Sequence, residues 1–570
     1  PPRGGARDRC VPPPPPPGRI ANLTSEPPPP ARLPPPTMRQ VVDGNRLAAS
    51  AYELKFREDI DAEGGSPRRL CSVPLDGKNL AQFRKAVEED YYFQMFYDDL
   101  PLWGFLGKVE KLIDVSLPEP ELRFFLFTHL HFEIFYNGDQ VIEINVSTDP
   151  AYEVDITHPP AGAQADFTYS ASWKPSTVPF GQRMDKYSRS SFLPQHLEIH
   201  WFSIVNSCVT VMLLTGFLTT ILMRVLRQDF AKYSGDAESG GGPDAFDERE
   251  ETGWKYIHAD VFRWPQYKSL FCAIIGSGAQ LFLLASFIFA LACAGSFYPY
   301  NRGSMYTACI VLYALTSCVA GYVSGYWYKQ MGGTEWVRNV IITCLIFCGP
   351  FLGVFSVNNT VAIAYRSTAA LPFGTICVVI LIWGLVTFPL TVLGAIAGKN
   401  AKSEFRPPCR TSKYPREVPP LPAYRAALPQ MLMAGILPFS AVYIELYYIF
   451  ASVWGHKVYI IYSILAIVFA ILVIVTSFIT VALTYFQLAA EDWRWWWRSV
   501  LCGGAAGLYI YAYCGYYYYA RSNMSGLLQT SFFFGYMLPV CWGFFLMLGA
   551  VGWRSSLLFT SQIYKAIKAE

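Results

Sequence analysis

The chain has 570 residues, of which 52% are hydrophobic and only 16% are charged, and its mean hydropathy is +0.24. Soluble globular proteins carry about 25% charged residues, so this composition is typical of a membrane protein. The formal net charge of +3 is too small to favour a nucleic-acid partner, and no C-x-x-C pair indicates a metal or redox site.

The first part of the chain, residues 1–36, is rich in proline, with runs at Pro12–Pro17 and Pro27–Pro30. Such a composition favours extended or disordered chain, and it lacks the apolar stretch of a signal peptide. The first residue is Pro1 and the first methionine is Met38. We therefore expect a disordered segment, or an N-terminus that is truncated or wrongly assigned.

Residues 37–198 are predicted to form one β-rich domain. His129–Tyr136 and Gln140–Val146 alternate apolar and polar residues around Asn137-Gly138-Asp139, which is a strong hairpin signal. A sandwich-like fold is the natural expectation for a β-rich chain of this length. The pattern also predicts two further strands and one helix: Tyr52–Phe56, Phe167–Trp173 and Leu80–Glu89.

From Trp201 to about Phe559 the chain consists of long apolar blocks separated by polar loops. An apolar block of about 18 residues or more is typical of a membrane-spanning helix, which pairs all its backbone polar groups internally. Residues 199–559 are therefore predicted to form a polytopic α-helical domain of nine transmembrane helices. The predicted spans are Trp201–Met223, Phe271–Ala294, Met305–Tyr328, Val340–Ala362, Phe373–Ala397, Met431–Val453, Val458–Phe486, Val500–Tyr519 and Leu527–Gly552.

Lysine and arginine are distributed unequally between the two sets of loops. The loops with few basic residues contain little more than Arg302, Arg366, Lys457 and Arg521. The loops with many basic residues include the loop at 224–268, a second loop at 398–417 and the tail at 560–570. By the positive-inside rule the loops with many basic residues are cytosolic, so the β-rich domain is lumenal or extracellular, as an odd number of spans requires.

Seven stretches resemble the nonaspanins, the transmembrane nine superfamily, and are closest to its plant or algal members. They are Tyr91–Glu110, His129–Val146, Ile199–Val209, Gly253–Pro265, Pro407–Pro420, Leu437–Tyr459 and Glu491–Leu501. At the N-terminus, the proline-rich tract replaces the family's signal peptide and its first strands. The resemblance implies a Golgi and endosomal membrane protein that sorts other membrane proteins with glycine-rich spans. It implies no enzymatic activity and no cofactor.

The resemblance also implies roles for two sets of residues. The family's second lumenal cysteine looks like the partner of Cys71, and Cys10 is a poor substitute for it. A terminal Lys-x-Asp/Glu resembles a Golgi-retention signal read by the COPI coat, and Lys568 and Glu570 occupy those positions. An exposed end with a cation, an anion and a terminal carboxylate suits a charged pocket. The alternative is an ordinary solvated helix end.

Glu445 lies inside the sixth predicted span. An ionisable group at that depth costs several kcal/mol unless it is paired or reached by water, so it is a candidate cargo contact or proton-sensing site. The alternative is a neutral acid that holds helices together, through tyrosines such as Tyr443 or Tyr447. A buried acid among broken helices also leaves open a transporter or channel for a small solute or ion.

Small-residue pairs at i, i+4 recur in the spans, and they let helices approach closely. Some of these faces could accept a cargo helix, but packing within the bundle is the interpretation we favour. The pairs are Gly321 with Gly325, Gly349 with Gly353, Gly394 with Gly398, and Gly503 with Gly507. Prolines within or near the spans are predicted to kink helices and free backbone carbonyls: Pro350, Pro389, Pro438 and Pro539.

Three further sequence features bear on modification, metal binding and the membrane interface. Asn145-Val146-Ser147 is a candidate N-glycosylation sequon. His129 and His131 share a strand face, but no third metal ligand is evident, so a structural role is expected. The tryptophans between Trp493 and Trp497, with two arginines, are predicted to form an interfacial belt. No nucleophile, general base or phosphate loop is apparent, so no catalytic residue is predicted.

Overall fold

The computed structural model describes the chain in segments. They are residues 50–60, 67–98, 100–112, 121–160, 162–183, 209, 211–213, 215–217, 219–221, 223–227, 253–297, 304–365, 370–420, 422–423, 426–453, 462–522, 524 and 526–566. The chain divides into two compact units, one including residues 47–190 and the other residues 191–570. The predicted N-terminal tract at 1–36 and the last four residues lie outside the described segments.

The N-terminal unit contains nine described strands and one helix. The strands are β1 Arg68–Pro74, β2 Tyr92–Tyr97, β3 Leu100–Phe105, β4 Gly107–Leu112, β5 Glu121–Phe127, β6 His129–Asn137, β7 Gln140–Ser147, β8 Glu153–Asp155 and β9 Gln164–Pro175. The helix α1, Gly77–Glu88, begins after Asp76, whose side chain accepts the backbone N–H of Asn79. The strands form three sheets, in the orders β1-β9-β6-β7, β2-β3 and β4-β5-β8.

The predicted hairpin is confirmed as β6 and β7, which pair antiparallel across a turn in which Gly138 has φ of +58°. Strand β6 also pairs in parallel with β9. Alternate residues Leu130, Phe132 and Ile134 of β6 are buried, because they face a core completed by β3 and β9.

The predicted strand at Tyr52–Phe56 is wrong, since these residues form no ladder. Its alternating pattern instead reflects side chains that pack on the sheet. The Tyr52 ring lies edge-on to Phe132 and Tyr169, with centroids 5.3 and 5.2 Å apart.

The second unit is helical. Residues 209–227 are helical wherever they are described. Eight further helices follow: α2 Lys268–Cys293, α3 Ser304–Gln330, α4 Trp336–Ala364, α5 Phe373–Asn400, α6 Ala427–Val453, α7 Tyr462–Ala489, α8 Trp495–Arg521 and α9 Leu527–Ala566. Helix α5 contains one π-helical segment, Trp383–Thr387, before Pro389.

Seven helices in the described segments are long and apolar enough to cross a membrane, namely α2 to α7 and α9. Helix α8 has spanning length, at 27 residues, but it carries many tyrosines and glycines and is less apolar. The chain is therefore a helical, multi-pass membrane protein with a strand-containing N-terminal unit. Nine spans remain a prediction, because the first predicted span is described only in part.

Glycine brings several pairs of helices into backbone contact, among them α3 with α5 and α8 with α9. A Cβ atom added at Gly321 of α3 would overlap the carbonyl oxygen of Thr391 on α5, and one at Gly394 of α5 would overlap that of Cys318 on α3. The same holds for α8 and α9, where a Cβ at Gly503 would lie 2.6 Å from the carbonyl oxygen of residue 548. These crossings require glycine, because no other residue allows the backbones to come so close.

Replacing Gly321 by alanine is expected to force α3 away from α5. Overpacking of this kind costs about 1–3 kcal/mol, so Gly321→Ala should lower the midpoint of thermal unfolding of the detergent-solubilised protein. Gly353→Ala is the matched control, because no described atom lies within 4 Å of the position its Cβ would take. Equal midpoints for the two variants would show that the α3–α5 crossing is looser than described.

Candidate functional site

The glycine pairs predicted on α3 and α5 pack against each other inside the bundle, at the crossing of these two helices. A Cβ at Gly325 of α3 would lie 2.6 Å from the Ala395 carbonyl oxygen on α5. A Cβ at Gly398 of α5 would overlap the Tyr322 carbonyl oxygen on α3. Gly325 and Gly398 therefore extend the backbone contact that Gly321 begins. Because the partner helix already covers these positions, they offer no face to a cargo helix.

The other two predicted pairs differ from each other. Gly503 and Gly507 of α8 contact the backbone of α9, so this pair is also covered within the bundle. The pair on α4 is open. A Cβ at Gly349 would meet only Leu345 of its own helix, at 4.0 Å, and one at Gly353 would meet no described atom.

The open pair lies on a part of α4 that is otherwise apolar and accessible. Leu345, Phe351 and Val357 are 45%, 42% and 62% exposed. Pro350 lies between the two glycines and has no N–H, so the carbonyl of Ile346 loses its helical partner. The Trp542 indole of α9 donates to that carbonyl at 2.9 Å, and this bond keeps the break in α4 satisfied.

Glu445 lies on α6 and is only 3% exposed. Its neighbours on α6, including Leu446 and Phe450, belong to an aromatic cluster formed with α8 and α9. The Tyr513 ring of α8 lies 5.4 Å from Tyr443 and 5.6 Å from Phe450. The carboxyl group therefore sits in the interior of the bundle, as both interpretations of Glu445 require.

Two loop segments, residues 253–267 and 401–420, pack together to form what we call the loop platform. Its centre is Asp260, whose side chain is fully buried. Arg263 Nη2 donates to Asp260 Oδ1 at 2.7 Å, and Ser412 Oγ donates to the same oxygen at 2.8 Å. The backbone N–H of Arg416 reaches Oδ2 at 3.3 Å. One carboxylate thus joins segments that are about 150 residues apart in the sequence.

Burial of Asp260 would by itself raise its pKa. The hydrogen bonds from Arg263, Ser412 and the Arg416 amide outweigh that effect, so the pKa lies below its ordinary value. The ionised form is therefore the one that the platform stabilises.

The tryptophans predicted to form an interfacial belt are in part core residues. Trp495 and Trp496 are 0% and 2% exposed, with ring centroids 4.6 Å apart. Trp495 Nε1 donates to the carbonyl of Val261 at 2.9 Å, so the start of α8 is fixed to the loop platform. The belt prediction is wrong for these two residues, because cations on either side of a tryptophan do not reveal whether it faces lipid or protein.

The end of α9 is also held by the platform. Tyr564 and Trp254 are buried, and Tyr564 Oη donates to the Trp254 carbonyl at 2.6 Å. The two rings meet edge-on at 5.5 Å. Sequence reasoning did not identify Asp260, Trp254 or Tyr564, although Asp260 and Trp254 fall in a stretch that carried the family resemblance. Lys568 and Glu570 lie just beyond, outside the described residues.

The predicted His129 and His131 share one face of β6, and all four ring nitrogens lie near hydroxyl groups. His129 is 2.8 Å from Thr168 and 2.9 Å from Ser170, and His131 is 2.7 Å from Ser170 and 3.1 Å from Ser172. This ladder of hydrogen bonds joins β6 to β9.

The remaining predicted positions lie in the N-terminal unit. Asn145 is half-buried on β7, the last strand in its sheet, and its Nδ2 donates to Glu143 at 2.6 Å. Its glycosylation remains a prediction. Cys71 is disulfide-bonded, although the sequence left its pairing in doubt, and its partner lies outside the described residues.

Comparison with known proteins gives consistent matches. The family described as Endomembrane protein 70 matches residues 24–527. Transmembrane 9 superfamily members 4 and 2 of Arabidopsis thaliana are 61% and 62% identical over 531 residues, 93% of this chain and 87% of each relative. Member 1 of Bos taurus is 46% identical over 538 residues, 94% of this chain and 87% of the relative. No solved structure gives a significant match.

The Asp260→Asn substitution is expected to release residues 401–420 from the platform. A hydrogen bond to a charged group contributes about 1.5–3 kcal/mol, so trypsin should cleave after Arg410 and Lys413 about tenfold faster or more. Mass spectrometry of timed digests of the solubilised protein measures this rate. Glu404→Gln is the control, since Glu404 is exposed and has no described ion pair. Equal cleavage of both variants would contradict the role of Asp260.

The lowered pKa of Asp260 also predicts a pH dependence. Because the pKa of Asp260 is lower in the folded protein than the value of about 4 in the unfolded chain, its carboxylate stabilises the fold at pH values above about 4. This stabilisation is lost as the pH falls through the pKa of the folded state. The fluorescence of the buried platform tryptophans should therefore change on acidification in the wild type. The Asp260→Asn variant should show a smaller change. The difference between wild type and variant measures the contribution of Asp260.

Proposed function

Because the chain belongs to the Endomembrane protein 70 family, whose relatives include the transmembrane 9 superfamily proteins, we propose that it sorts other membrane proteins in Golgi and endosomal membranes. In this proposal the N-terminal unit is lumenal and the C-terminus is cytosolic, as the distribution of basic loops favours. Cargo proteins with glycine-rich spans bind within the membrane. COPI coat subunits bind the tail at Lys568 and Glu570. The proposal assigns no catalytic step and no cofactor to the chain.

One observation carries the cargo part of the proposal, the open pair of Gly349 and Gly353 on α4. Lipid tails are as apolar as leucine, so helices associate in a membrane through close packing rather than through the hydrophobic effect. Two glycines one turn apart remove the side-chain barrier to such packing. A second helix that also carries glycine on its face could then approach at backbone distance. The other three pairs already serve this purpose inside the bundle.

The position of the chain end supports the coat part of the proposal. Helix α9 continues to Ala566, past residue 559, where the sequence predicted the transmembrane domain to end. Its end is held by the loop platform through Tyr564. Residues 567–570 follow the helix and include Lys568 and Glu570.

A second candidate function is transport of a small solute or ion, which the burial of Glu445 favours. Flux of ions or small solutes through liposomes that contain the purified protein would distinguish it from sorting. Sorting requires no flux, whereas a carrier or channel would show flux that depends on Glu445.

Filling the open face of α4 is expected to prevent cargo binding. The variant Gly349→Leu/Gly353→Leu should capture a single-span cargo protein with a glycine-rich helix about tenfold less well than the wild type. Quantitative co-purification in detergent measures the loss. The matched control is Gly374→Leu/Gly384→Leu, which fills two exposed glycines on α5 that also have no described neighbour.

Two outcomes would count against this proposal. Equal capture by both double variants and the wild type would show that the face formed by Gly349 and Gly353 is not the cargo contact. Absence of capture by the wild type would remove the support for sorting itself.

The tail variant Lys568→Ala/Glu570→Ala is expected to leave the Golgi, because the coat would no longer recognise the charged end. Fluorescence microscopy of the tagged full-length protein measures its distribution. Lys565→Ala is the control, since this exposed lysine precedes the proposed signal and lies within α9. An unchanged distribution of the tail variant would refute the role of Lys568 and Glu570.

A further inference from the structure

Four cations lie at or directly after the ends of α3 and α5. Lys329 belongs to the last turn of α3, Lys399 to the last turn of α5, and Lys402 and Arg406 follow α5 directly. All four are exposed. Lys329 Nζ donates to the Ala401 carbonyl at 3.0 Å, and Ala401 immediately precedes Lys402. The ammonium group of Lys329 is therefore held beside the segment that carries the other three cations.

This segment is fixed to the end of α3 by further contacts. Gln330 Nε2 donates to the Ser403 carbonyl at 3.0 Å, and its Oε1 accepts the N–H of Phe405 at 3.2 Å. The Phe405 ring packs against Trp327 and Trp264, with centroids 5.4 and 6.2 Å apart. The backbone that bears the cations is thus ordered before any ligand arrives, which lowers the entropy cost of binding.

Among the described residues, the four cations of this site have no ion-pair partner. None of the four cations forms an ion pair with a described carboxylate, and Glu404 is the one acidic residue in residues 399–406. Nearby Glu335 pairs with Arg338 at 3.2 Å. Like charges held together repel each other, so a bound anion would stabilise the arrangement.

The site lies at the ends of two candidate spans, where a membrane would present its headgroups. Helices α3 and α5 are both candidate spans, and the cations stand where these spans end. Helix α5 is the least buried of the seven candidate spans, so most of its surface is free to face lipid. Lys399 Nζ lies 4.8 Å from the centre of the half-buried Trp336 ring, a pairing of aromatic and cation that is common at membrane interfaces.

We propose that Lys329, Lys399, Lys402 and Arg406 form a binding site for an anionic phospholipid headgroup that bears a phosphate monoester. A monoester phosphate carries nearly two negative charges and several acceptor oxygens, which suits several cations better than a singly charged headgroup does. Arg406 provides a planar fork that can donate two hydrogen bonds to phosphate, and the lysines provide point charges. This inference does not depend on the proposed sorting function.

Binding of phosphatidic acid to the purified full-length protein tests the site. Native mass spectrometry over a lipid titration gives the affinity for phosphatidic acid and, for comparison, for phosphatidylcholine. The variant Lys399→Gln/Lys402→Gln/Arg406→Gln is expected to bind phosphatidic acid about tenfold less well or worse, with its binding of phosphatidylcholine unchanged. A parallel assay in nanodiscs should show that wild-type binding weakens with added salt.

The matched control removes the same charge elsewhere, as Lys55→Gln/Lys85→Gln/Lys174→Gln in the N-terminal unit. Equal loss of binding in both triple variants would show a general effect of net charge and overturn the site. Equal affinity of the wild type for the two lipids would overturn it too. Displacement of phosphatidic acid by millimolar inorganic phosphate would assign the site to free phosphate instead. An unchanged midpoint of thermal unfolding confirms that the variants are folded.

Discussion

Direct contact between helix backbones is the constraint on which the helical unit depends. At the α3–α5 crossing, glycines from both helices face carbonyl oxygens of the partner, so neither helix can gain a side chain there without moving. The α8–α9 contact follows the same rule through Gly503 and Gly507. Because lipid provides no hydrophobic force between helices, such close contacts are one of the interactions that hold the helices together. On α4, by contrast, no described atom of another helix lies within 4 Å of the Cβ positions of Gly349 and Gly353.

The loops at one end of the helices are organised by buried charge rather than by small residues. Asp260 joins two distant loop segments, and Asp492 pairs with Arg498 at 3.1 Å next to the start of α8. Aromatic residues fill the space around these groups, among them Trp254, Trp495 and Trp496, all nearly fully buried. Each carboxylate is compensated by cations and hydrogen bonds, which keeps the cost of burying the charge low. The platform is therefore an ordered surface on which α8 and α9 are fixed.

The sequence predicted the elements better than their contacts. Long apolar blocks located the described spans, and the Asn137-Gly138 turn located the β6–β7 hairpin, because both signals are local in the chain. The role of Asp260 depends on Ser412, and no local pattern connects them. The four glycine pairs look alike in the sequence, yet one is open and three are filled. The prediction of an interfacial belt fails for Trp495 and Trp496, because their burial depends on residues distant in the sequence, here Val261 and its neighbours.

The length of α9 has a consequence for any protein that binds residues 567–570. Forty helical residues extend about 60 Å, roughly twice the hydrocarbon thickness of a bilayer. The four residues after Ala566 span at most about 14 Å when fully extended. A protein that binds residues 567–570 must therefore come within about 14 Å of Ala566, at the end of the helix that the platform holds through Tyr564. A partner bound to residues 567–570 would therefore approach the protein from the side on which the platform holds α9.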